Sequence, residues 1–212
     1  MLTVLIDYDS GNLHSAEKAF QRMAAETNAG DVIVSSHPED VARADRIVLP
    51  GDGAFPPCRQ ALGQCDGLFE AIQEAITTRA RPFLGICVGM QMMATLGREY
   101  RDTPGFDWIA GTVVKITPTD HWLKVPHMGW NDLVIDHPHP VLTGISTGDH
   151  AYFVHSYHVE VADPAHRLAH VDYAGAVTAI IGKANMIGAQ FHPEKSQHAG
   201  LRLIANFLTW AP

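Results

Sequence analysis

The pattern of hydrophobic positions changes about halfway along the chain. In the first half, short apolar runs alternate with stretches whose apolar residues recur every three or four positions. This pattern predicts strands at 2–6, 32–34, 46–49 and 82–86 and helices at about 12–25, 67–79 and 89–96. Such alternation is typical of a parallel sheet covered by helices on both faces. We therefore expect the loops after Ile6, Leu49 and Ile86 to share one rim of that sheet, where ligands bind in such folds.

The second half contains shorter apolar runs that are separated by turn residues. They predict strands at 112–116, 133–135, 152–154, 157–161, 176–181 and 185–191, followed by a final helix at about 197–208. No linker, repeat or low-complexity stretch interrupts the chain. We expect a single α/β domain over residues 1–212, a three-layer sandwich with a mixed, mainly parallel sheet and added antiparallel strands.

Composition and charge exclude several classes of function. The 212 residues include 15 Lys and Arg against 23 Asp and Glu, a net charge of −8. This balance argues against binding to nucleic acids or anionic membranes, which depends on a basic surface. No segment approaches the roughly 18 apolar residues of a membrane-spanning helix. The start of the chain does not resemble a secretory signal, and three cysteines are an odd number, so we expect a reduced, cytoplasmic protein.

The segment Gly85-Ile86-Cys87-Val88-Gly89 is the most informative motif. It follows an apolar strand and opens a helix, which makes it the cysteine form of a nucleophile elbow. Flanking glycines permit the sharp turn, and the start of a helix favours a thiolate. The N–H of Val88 would face a developing oxyanion. A buried, unreactive cysteine is the alternative, and it suits Cys58 and Cys65 better than Cys87.

Two further strand ends carry candidate partners for Cys87. His192-Pro193-Glu194 directly follows a predicted strand, and Glu194 could hold the tautomer of His192 as a general base. An exposed turn explains this segment about equally well when it is considered alone. The segment 50–53 ends another strand, and Gly51, Asp52 and Gly53 could present backbone N–H groups to an oxyanion. A plain turn is the alternative there.

We expect neither a metal nor a cofactor. The chain lacks the zinc-protease, phosphate-loop and dinucleotide-binding motifs. The histidine pairs 137/139 and 155/158 could chelate a metal, but ordinary turn and sheet positions are favoured.

Several motifs together resemble a known family. The segments 84–91 and 190–194 resemble class I, triad-type glutamine amidotransferases with a flavodoxin-like fold. The segments 6–8, 11–13, 49–55, 126–131, 152–157 and 192–196 narrow the resemblance to the glutaminase subunits of imidazole glycerol phosphate synthases. The resemblance extends from residue 6 to residue 207, and only the narrower set is specific to these subunits.

The resemblance implies a reaction and the residues that perform it. Cys87 would attack the side-chain amide of glutamine, His192 would transfer the thiol proton to departing ammonia, and Glu194 would orient His192. Water would then hydrolyse the glutamyl thioester to glutamate. The N–H groups of Val88 and of the loop at 51–53 would hold the oxyanion. The head of glutamine would be bound by Gln91, Glu99, His155, Ser156 and Tyr157.

The resemblance also implies a partner. It is a cyclase subunit, a HisF-type (β/α)8 barrel, in a heterodimer that channels ammonia to a phosphoribulosyl-formimino nucleotide. The products would be imidazole glycerol phosphate and an aminoimidazole carboxamide ribotide, in histidine biosynthesis. The residues that match the partner interface are Asn12, Met128, Trp130, Asn131 and Lys195. Trp130 could equally be a core residue.

Two residues depart from the family pattern. The family has glycine at the position of Asp9, so the turn there is expected to differ, and valine at the position of Asp52. A carboxylate aimed at the oxyanion would oppose catalysis, so we predict that the side chain of Asp52 points away and that only its backbone serves the site. The loop at 51–53 is also a candidate switch, with its donor N–H turned away until the liganded partner binds.

Three alternatives remain from the sequence. The first is a triad amidotransferase for pyridoxal phosphate, anthranilate or guanylate synthesis, against which segments 126–131 and 195–196 argue. The second is a catalytically silent scaffold, which would have no chemical reason to retain Cys87, His192 and Glu194. The third is a free γ-glutamyl hydrolase, which would be active without a partner.

Overall fold

The central element is an eight-stranded sheet. A computed structural model describes residues 1–9, 13–118, 120, 122–173 and 175–212. Its strands are β1 (Leu2–Ile6), β2 (Asp31–Ser35), β3 (Arg46–Leu49), β4 (Phe83–Ile86), β5 (Ala94–Gly97), β6 (Thr103–Pro104), β7 (Ile109–Lys115), β8 (His127–Asp132), β9 (Val134–Ile135), β10 (His150–His155), β11 (Tyr157–Val161), β12 (Arg167–Asp172), β13 (Ala176–Lys183) and β14 (Met186–Ala189). The order in the large sheet is β2-β1-β3-β4-β14-β13-β12-β9.

In that order, the pairing is parallel from β2 as far as β14 and antiparallel from β14 to β9. The predicted mixed, mainly parallel sheet is therefore confirmed. Strands β3 and β4 are buried along their whole length, as expected for a sheet that is covered on both faces.

The helices pack as two groups. Their bounds are α1 (Leu13–Thr27), α2 (Pro38–Arg43), α3 (Phe55–Gln64), α4 (Leu68–Gln73), α5 (Val88–Gln91) and α6 (Gln197–Thr209). Helix α1 packs against α6, whereas α4 contacts α2 and α3. Helix α4 continues into a π-helical turn at Glu74–Thr78. Among the described residues, no helix combines the length and apolar character needed to cross a bilayer.

The helix predicted at 89–96 is wrong. Helix α5 ends at Gln91, and β5 begins at Ala94. The carbonyl oxygens of Met92 and Met93 accept hydrogen bonds from the N–H groups of Phe106 and Ile109 instead of from the next helical turn. Periodicity indicated a helix, but these tertiary hydrogen bonds draw the chain into a strand that pairs with β7.

Two small sheets complete the second half. Strands β8 and β10 form an antiparallel pair, and β11, β7, β5 and β6 form a four-stranded sheet. Strand β10 ends at His155 and β11 begins at Tyr157, so only Ser156 separates the two sheets. This junction lies beside the rim of the large sheet, where it lines a cavity with Cys87.

Candidate active site

The candidate active site lies at the carboxyl ends of three adjacent parallel strands. Strand β3 leads to the loop at 51–53, β4 leads to Cys87, and β14 leads to His192. Because these strands are neighbours in the sheet, residues far apart in sequence meet at one rim. The structure thus brings together the three strand ends that carry the predicted chemistry.

Cys87 occupies a sharp, strained turn. Its φ and ψ are 53° and −112°, a conformation that residues with side chains rarely adopt. A Cβ on Gly85 would lie 2.6 Å from the carbonyl oxygen of Gly89, and one on Gly89 would lie 1.9 Å from that of Leu49. Glycine is therefore required on both sides of the cysteine, as the elbow motif predicts. The backbone N–H of Cys87 donates to the carbonyl of Ala189 at 2.8 Å, which anchors the turn to β14.

His192 and Glu194 form a buried pair beside this cysteine. Nδ1 of His192 lies 2.9 Å from Oε1 of Glu194, and their side chains are 6% and 4% exposed. Burial lowers the pKa of His192, but interactions with the Cys87 thiol and the Glu194 carboxylate outweigh it and raise that pKa to about 10. Nδ1 is taken by Glu194, and among the described residues the buried Nε2 has no other contact of this kind than the one with Cys87. This nitrogen is therefore the one available for proton transfer.

The turn that holds His192 is tied to two other elements. The hydroxyl of Ser196 donates to the carbonyl of His192 at 2.7 Å and accepts from the N–H of Tyr152 at 2.9 Å. A 3-10 turn at Pro193–Lys195 then leads into α6. These bonds fix the backbone that positions the imidazole and its carboxylate.

A pair of buried glutamines connects Cys87 to the second half of the chain. The side-chain nitrogen of Gln91 lies 3.0 Å from the carbonyl of Tyr157 and 3.1 Å from Oε1 of Gln190. The side-chain nitrogen of Gln190 lies 3.6 Å from the sulfur of Cys87. Gln91 was predicted from the sequence, whereas Gln190 was missed, although it lies in the quoted segment 190–194.

Beyond Tyr157, two histidines continue the hydrogen-bond chain. Nδ1 of His155 donates to the carbonyl of Tyr157 at 2.8 Å, and Nε2 of His155 lies 3.0 Å from Nδ1 of His127. Nε2 of His127 accepts from the amide of Asn131 at 3.3 Å. Every ring nitrogen has a partner when both histidines are neutral. Burial accordingly lowers the pKa of His127 to about 4 and that of His155 to about 3.

Glu99 places a carboxylate in the wall of a cavity that Cys87 also lines. Its Oε2 accepts from the backbone N–H of Phe55 at 2.7 Å. Burial raises the pKa of Glu99, and the hydrogen bond from Phe55 partly offsets this effect. Strand β5, which replaces the end of the predicted helix, leads the chain to this position.

A cavity of about 190 Å³ collects most of the predicted residues. Its lining residues are Asp52, Gly53, Cys87, Val88, Gln91, Glu99, Val154, His155, Ser156 and Tyr157. A volume below the usual range for drug-sized ligands suits a small, polar molecule such as an amino acid.

The loop at 51–53 is built for close backbone approach. A Cβ on Gly51 would lie 2.8 Å from the N of Gly89, and Gly53 has a φ of +121°. Asp52 is exposed, and its carbonyl accepts from the thiol of Cys58 at 3.7 Å. The orientation of its carboxylate, and the switch proposed for this loop, stay predictions.

Asp9 is the other residue that departs from the family pattern. Asp9 has a φ of +62°, the left-handed conformation that glycine adopts most readily. Its backbone N–H donates to Oδ1 of Asp7 at 3.1 Å, a bond that any residue at position 9 except proline could make. The aspartate thus has a backbone conformation that glycine would favour.

The predicted partner residues lie mainly on β8. Met128 and Trp130 are 63% and 49% exposed, so the core alternative for Trp130 is wrong. Asn131 lies on the other face of β8, where it contacts His127. Lys195 is half-buried in the 3-10 turn, and Asn12 lies outside the described residues. Two large apolar side chains on the exposed face of one strand are suited to contact another protein.

No group of three metal-ligating side chains is found among residues 1–9, 13–118, 120, 122–173 and 175–212. Two of the histidines considered as chelators have other partners: His139 accepts from the N–H of Val141, and His158 accepts from that of Thr178.

Comparison with known proteins agrees with this fold. The family model for glutamine amidotransferase class-I matches residues 4–210. A solved glutamine amidotransferase has a TM-score of 0.72 at 14% identity, covering 97% of this chain and 98% of that one. The glutaminase domain of Trypanosoma brucei CTPS, with bound acivicin, has a TM-score of 0.66 at 14% identity, covering 98% and 93%. These two structures support the fold alone, whereas the family match defines the class as a class I glutamine amidotransferase.

Closer relatives give the particular family. The chain is 76% identical to the imidazole glycerol phosphate synthase subunit HisH of Cereibacter sphaeroides, over 100% of both chains. It is 66% identical to the subunit of the same name from Ruegeria pomeroyi and 58% identical to that from Rhodospirillum rubrum, again over 100% of both chains. The chain therefore belongs to the HisH family of class I glutamine amidotransferases.

Proposed function

We propose that this chain is the glutaminase subunit of an imidazole glycerol phosphate synthase, acting as a single domain in the cytoplasm. The observation that carries the proposal is the placement of a strained cysteine, a buried His–Glu pair and a small polar cavity at one sheet rim. The HisH relatives supply the name of the complex in which such a subunit acts.

The proposed reaction begins with Cys87. As His192 Nε2 takes the thiol proton, the sulfur attacks the side-chain carbonyl carbon of glutamine and forms a tetrahedral intermediate. The N–H of Val88 and an N–H of the loop at 51–53 stabilise its oxyanion. Collapse breaks the C–N bond, and His192 returns the proton to the nitrogen, which leaves as ammonia. Water, deprotonated by His192, then cleaves the thioester to glutamate.

Glu194 has an orienting role in this scheme. Its hydrogen bond to Nδ1 leaves Nε2 facing the sulfur, and its charge stabilises the imidazolium that forms during each half-reaction. The raised pKa of His192 has the direction that this role requires.

The head of glutamine is bound at the other end of the cavity. We assign its α-ammonium to the carboxylate of Glu99, and its remaining polar groups to Gln91 and the segment His155-Ser156-Tyr157. The ammonium would give this carboxylate a charge-assisted hydrogen bond in addition to the one that it accepts from the N–H of Phe55.

We assign the exposed face of β8, together with Asn12 and Lys195, to the contact with a HisF-type cyclase. Met128 and Trp130 would be the apolar centre of this contact. Ammonia would pass from Cys87 into the (β/α)8 barrel of the partner, which forms imidazole glycerol phosphate and the aminoimidazole carboxamide ribotide.

The test measures glutamate release from glutamine by the purified chain, alone and with the cyclase subunit and its nucleotide ligand. Strong release only in the complete mixture supports a partner-gated glutaminase. Release by the chain alone that the partner does not change would indicate a free hydrolase and contradict the proposal.

A substitution tests the assigned interface. Trp130→Ala should weaken binding to the cyclase by about 10- to 100-fold, because buried tryptophans dominate many interfaces. The exposed Arg22→Ala, near the end of α1, is the control and should bind normally. Titration calorimetry with the cyclase measures both, and equal affinities would place the interface elsewhere.

A further inference from the structure

Gln190 is a completely buried polar residue that directly contacts the nucleophile. It follows β14 and precedes His192 by two positions, and its exposed fraction is 0%. Its backbone N–H donates to the carbonyl of Ala179 at 2.8 Å, which anchors it to β13. A buried amide needs partners for its oxygen and its nitrogen, so its position indicates a specific role.

The surrounding bonds determine which end of the Gln190 amide faces the sulfur. The carbonyl of Tyr157 can only accept, so the Gln91 atom that contacts it must be the nitrogen. The same nitrogen lies 3.1 Å from the Gln190 side chain, so the Gln190 atom there must be the oxygen. The remaining atom, 3.6 Å from the sulfur of Cys87, is therefore an N–H donor.

We propose that Gln190 is a further catalytic residue, whose side-chain N–H donates a hydrogen bond to the sulfur of Cys87 and stabilises its thiolate. When the thiol proton moves to Nε2 of His192, negative charge develops on the sulfur that the Gln190 amide contacts. A hydrogen bond to a charged acceptor is stronger than one to a neutral thiol, so the contact favours the ionised nucleophile. Gln91 contributes indirectly because it fixes the orientation of the Gln190 amide.

The experiment measures thiolate formation without any glutaminase assay. Iodoacetamide alkylation of Cys87 is followed across pH by peptide mass spectrometry, which resolves it from Cys58 and Cys65. Gln190→Met keeps the length of the side chain but has no N–H donor. We expect the midpoint of the alkylation profile to move up by about one pH unit, which is about a tenfold loss of thiolate near neutral pH. Gln73→Met, on the exposed side of α4, is the matched control and should leave the midpoint unchanged.

A second variant covers a failure of Gln190→Met to fold. Gln190→Glu keeps the acceptor for Gln91 and places a carboxylate oxygen against the sulfur, so its midpoint should move up further. An unchanged midpoint in a variant that folds, by circular dichroism, would overturn the assignment. A higher KM for glutamine with an unchanged alkylation profile would reduce Gln190 to a support for Gln91, which also contradicts the proposal.

The inference deepens the proposed function, and the two can fail separately. If the chain released no glutamate with its cyclase but Gln190→Met still shifted the alkylation profile, the proposed function would be wrong and the sulfur contact would stand. If glutamate release were normal and the alkylation profile of Gln190→Met did not move, the proposed function would stand and the sulfur contact would be wrong.

Discussion

Two buried histidine environments lie near the candidate cavity, and their pKa values are shifted in opposite directions. His192 is paired with Glu194 and faces Cys87, and its pKa is raised to about 10. His155 and His127 are buried to a similar extent, but burial lowers their pKa values to about 3 and about 4. The difference therefore comes from their partners and not from the depth of burial.

The partners explain the difference in simple terms. Burial penalises a charged imidazole at both places, but at His192 the contact with Cys87 and a carboxylate at 2.9 Å together outweigh that penalty. His127 instead packs between the rings of Phe153 and Tyr173, and its two nitrogens contact neutral groups. We infer that the first environment is suited to moving protons and the second to holding a fixed geometry beside the candidate cavity.

The largest expected effect comes from removing the imidazole that moves protons. His192→Asn should lower glutamate release in the complex by about 10³-fold, because a positioned general base contributes roughly 10²- to 10⁴-fold. His155→Asn should instead raise KM for glutamine by about tenfold and leave kcat nearly unchanged, as expected for a group that only supports binding. Steady-state kinetics of the two variants separates these roles.

His37→Asn is the control for this comparison. His37 is exposed just before α2, far along the chain from both environments, and its substitution should not change either constant. If His155→Asn lost as much kcat as His192→Asn, the distinction between a proton carrier and a positioning group would be wrong.

The next effect tests the carboxylate that distinguishes the two environments. Glu194→Gln keeps the shape of the side chain and removes its charge, so the pKa of His192 should fall and glutamate release should drop by about 10²-fold. NMR titration of the His192 ring protons measures the first change, and steady-state assays measure the second. A pKa that stays raised in this variant would show that Cys87, and not Glu194, holds the charge.

Because His127 and His155 are held neutral in the fold, we expect the protein to lose stability in mild acid. His127 and His155 bind protons in the unfolded chain near pH 6.5 but in the folded chain only near pH 4 and pH 3. Their contribution to the free energy of unfolding is present above pH 6.5 and is lost as the pH falls toward their pKa values in the folded chain. The loss is about 2 kcal/mol for each histidine between pH 7.5 and 5. The pH dependence that His192 gives to stability has the opposite sign. Its raised pKa stabilises the fold below pH 6.5, and this contribution is lost as the pH rises through about 10.

Urea unfolding of His127→Gln at pH 7.5 and pH 5 measures this contribution. Glutamine can still donate to His155 and accept from Asn131, but it does not titrate. The fall in unfolding free energy between the two pH values should therefore shrink by about 2 kcal/mol relative to the unmodified chain. An equal fall in both proteins would mean that His127 is not held neutral.

The sequence predicts the first environment far better than the second. The Cys87 elbow and the His192–Glu194 pair are local patterns, each placed after an apolar strand, and the parallel sheet brings their ends together. His127 and His155 meet across the antiparallel register of β8 and β10. Strand β8 was missed because Gly129, Asn131 and Asp132 are poor strand formers, so nothing local indicated that the two imidazoles would be partners.

The same distinction applies to other parts of the fold. The end of the predicted helix at 89–96 fails because distant N–H groups occupy the carbonyls of Met92 and Met93. The role of Gln190 depends on Gln91, 99 positions away, which sets its orientation. Motifs with a local turn can be predicted from the chain, whereas hydrogen bonds that depend on strand register or distant side chains cannot.

The smallest expected effect comes from giving His127 a carboxylate partner, as His192 has in Glu194. Asn131→Asp would place a carboxylate next to Nε2 of His127, where the amide now lies at 3.3 Å. The pKa of His127 should then rise by about one unit, because an opposite charge at this distance favours the imidazolium and Asn131 is only partly buried. NMR titration of the ring protons measures the shift, and Asn131→Ala is the control that removes the hydrogen bond without adding charge. If the pKa of His127 did not move, its depth of burial and the aromatic rings around it would decide its charge, and the partner-based explanation for both environments would fail. If it rises, one side chain on the strand that carries Met128 and Trp130 is sufficient to change the protonation of a histidine that hydrogen-bonds His155, which lines the candidate cavity.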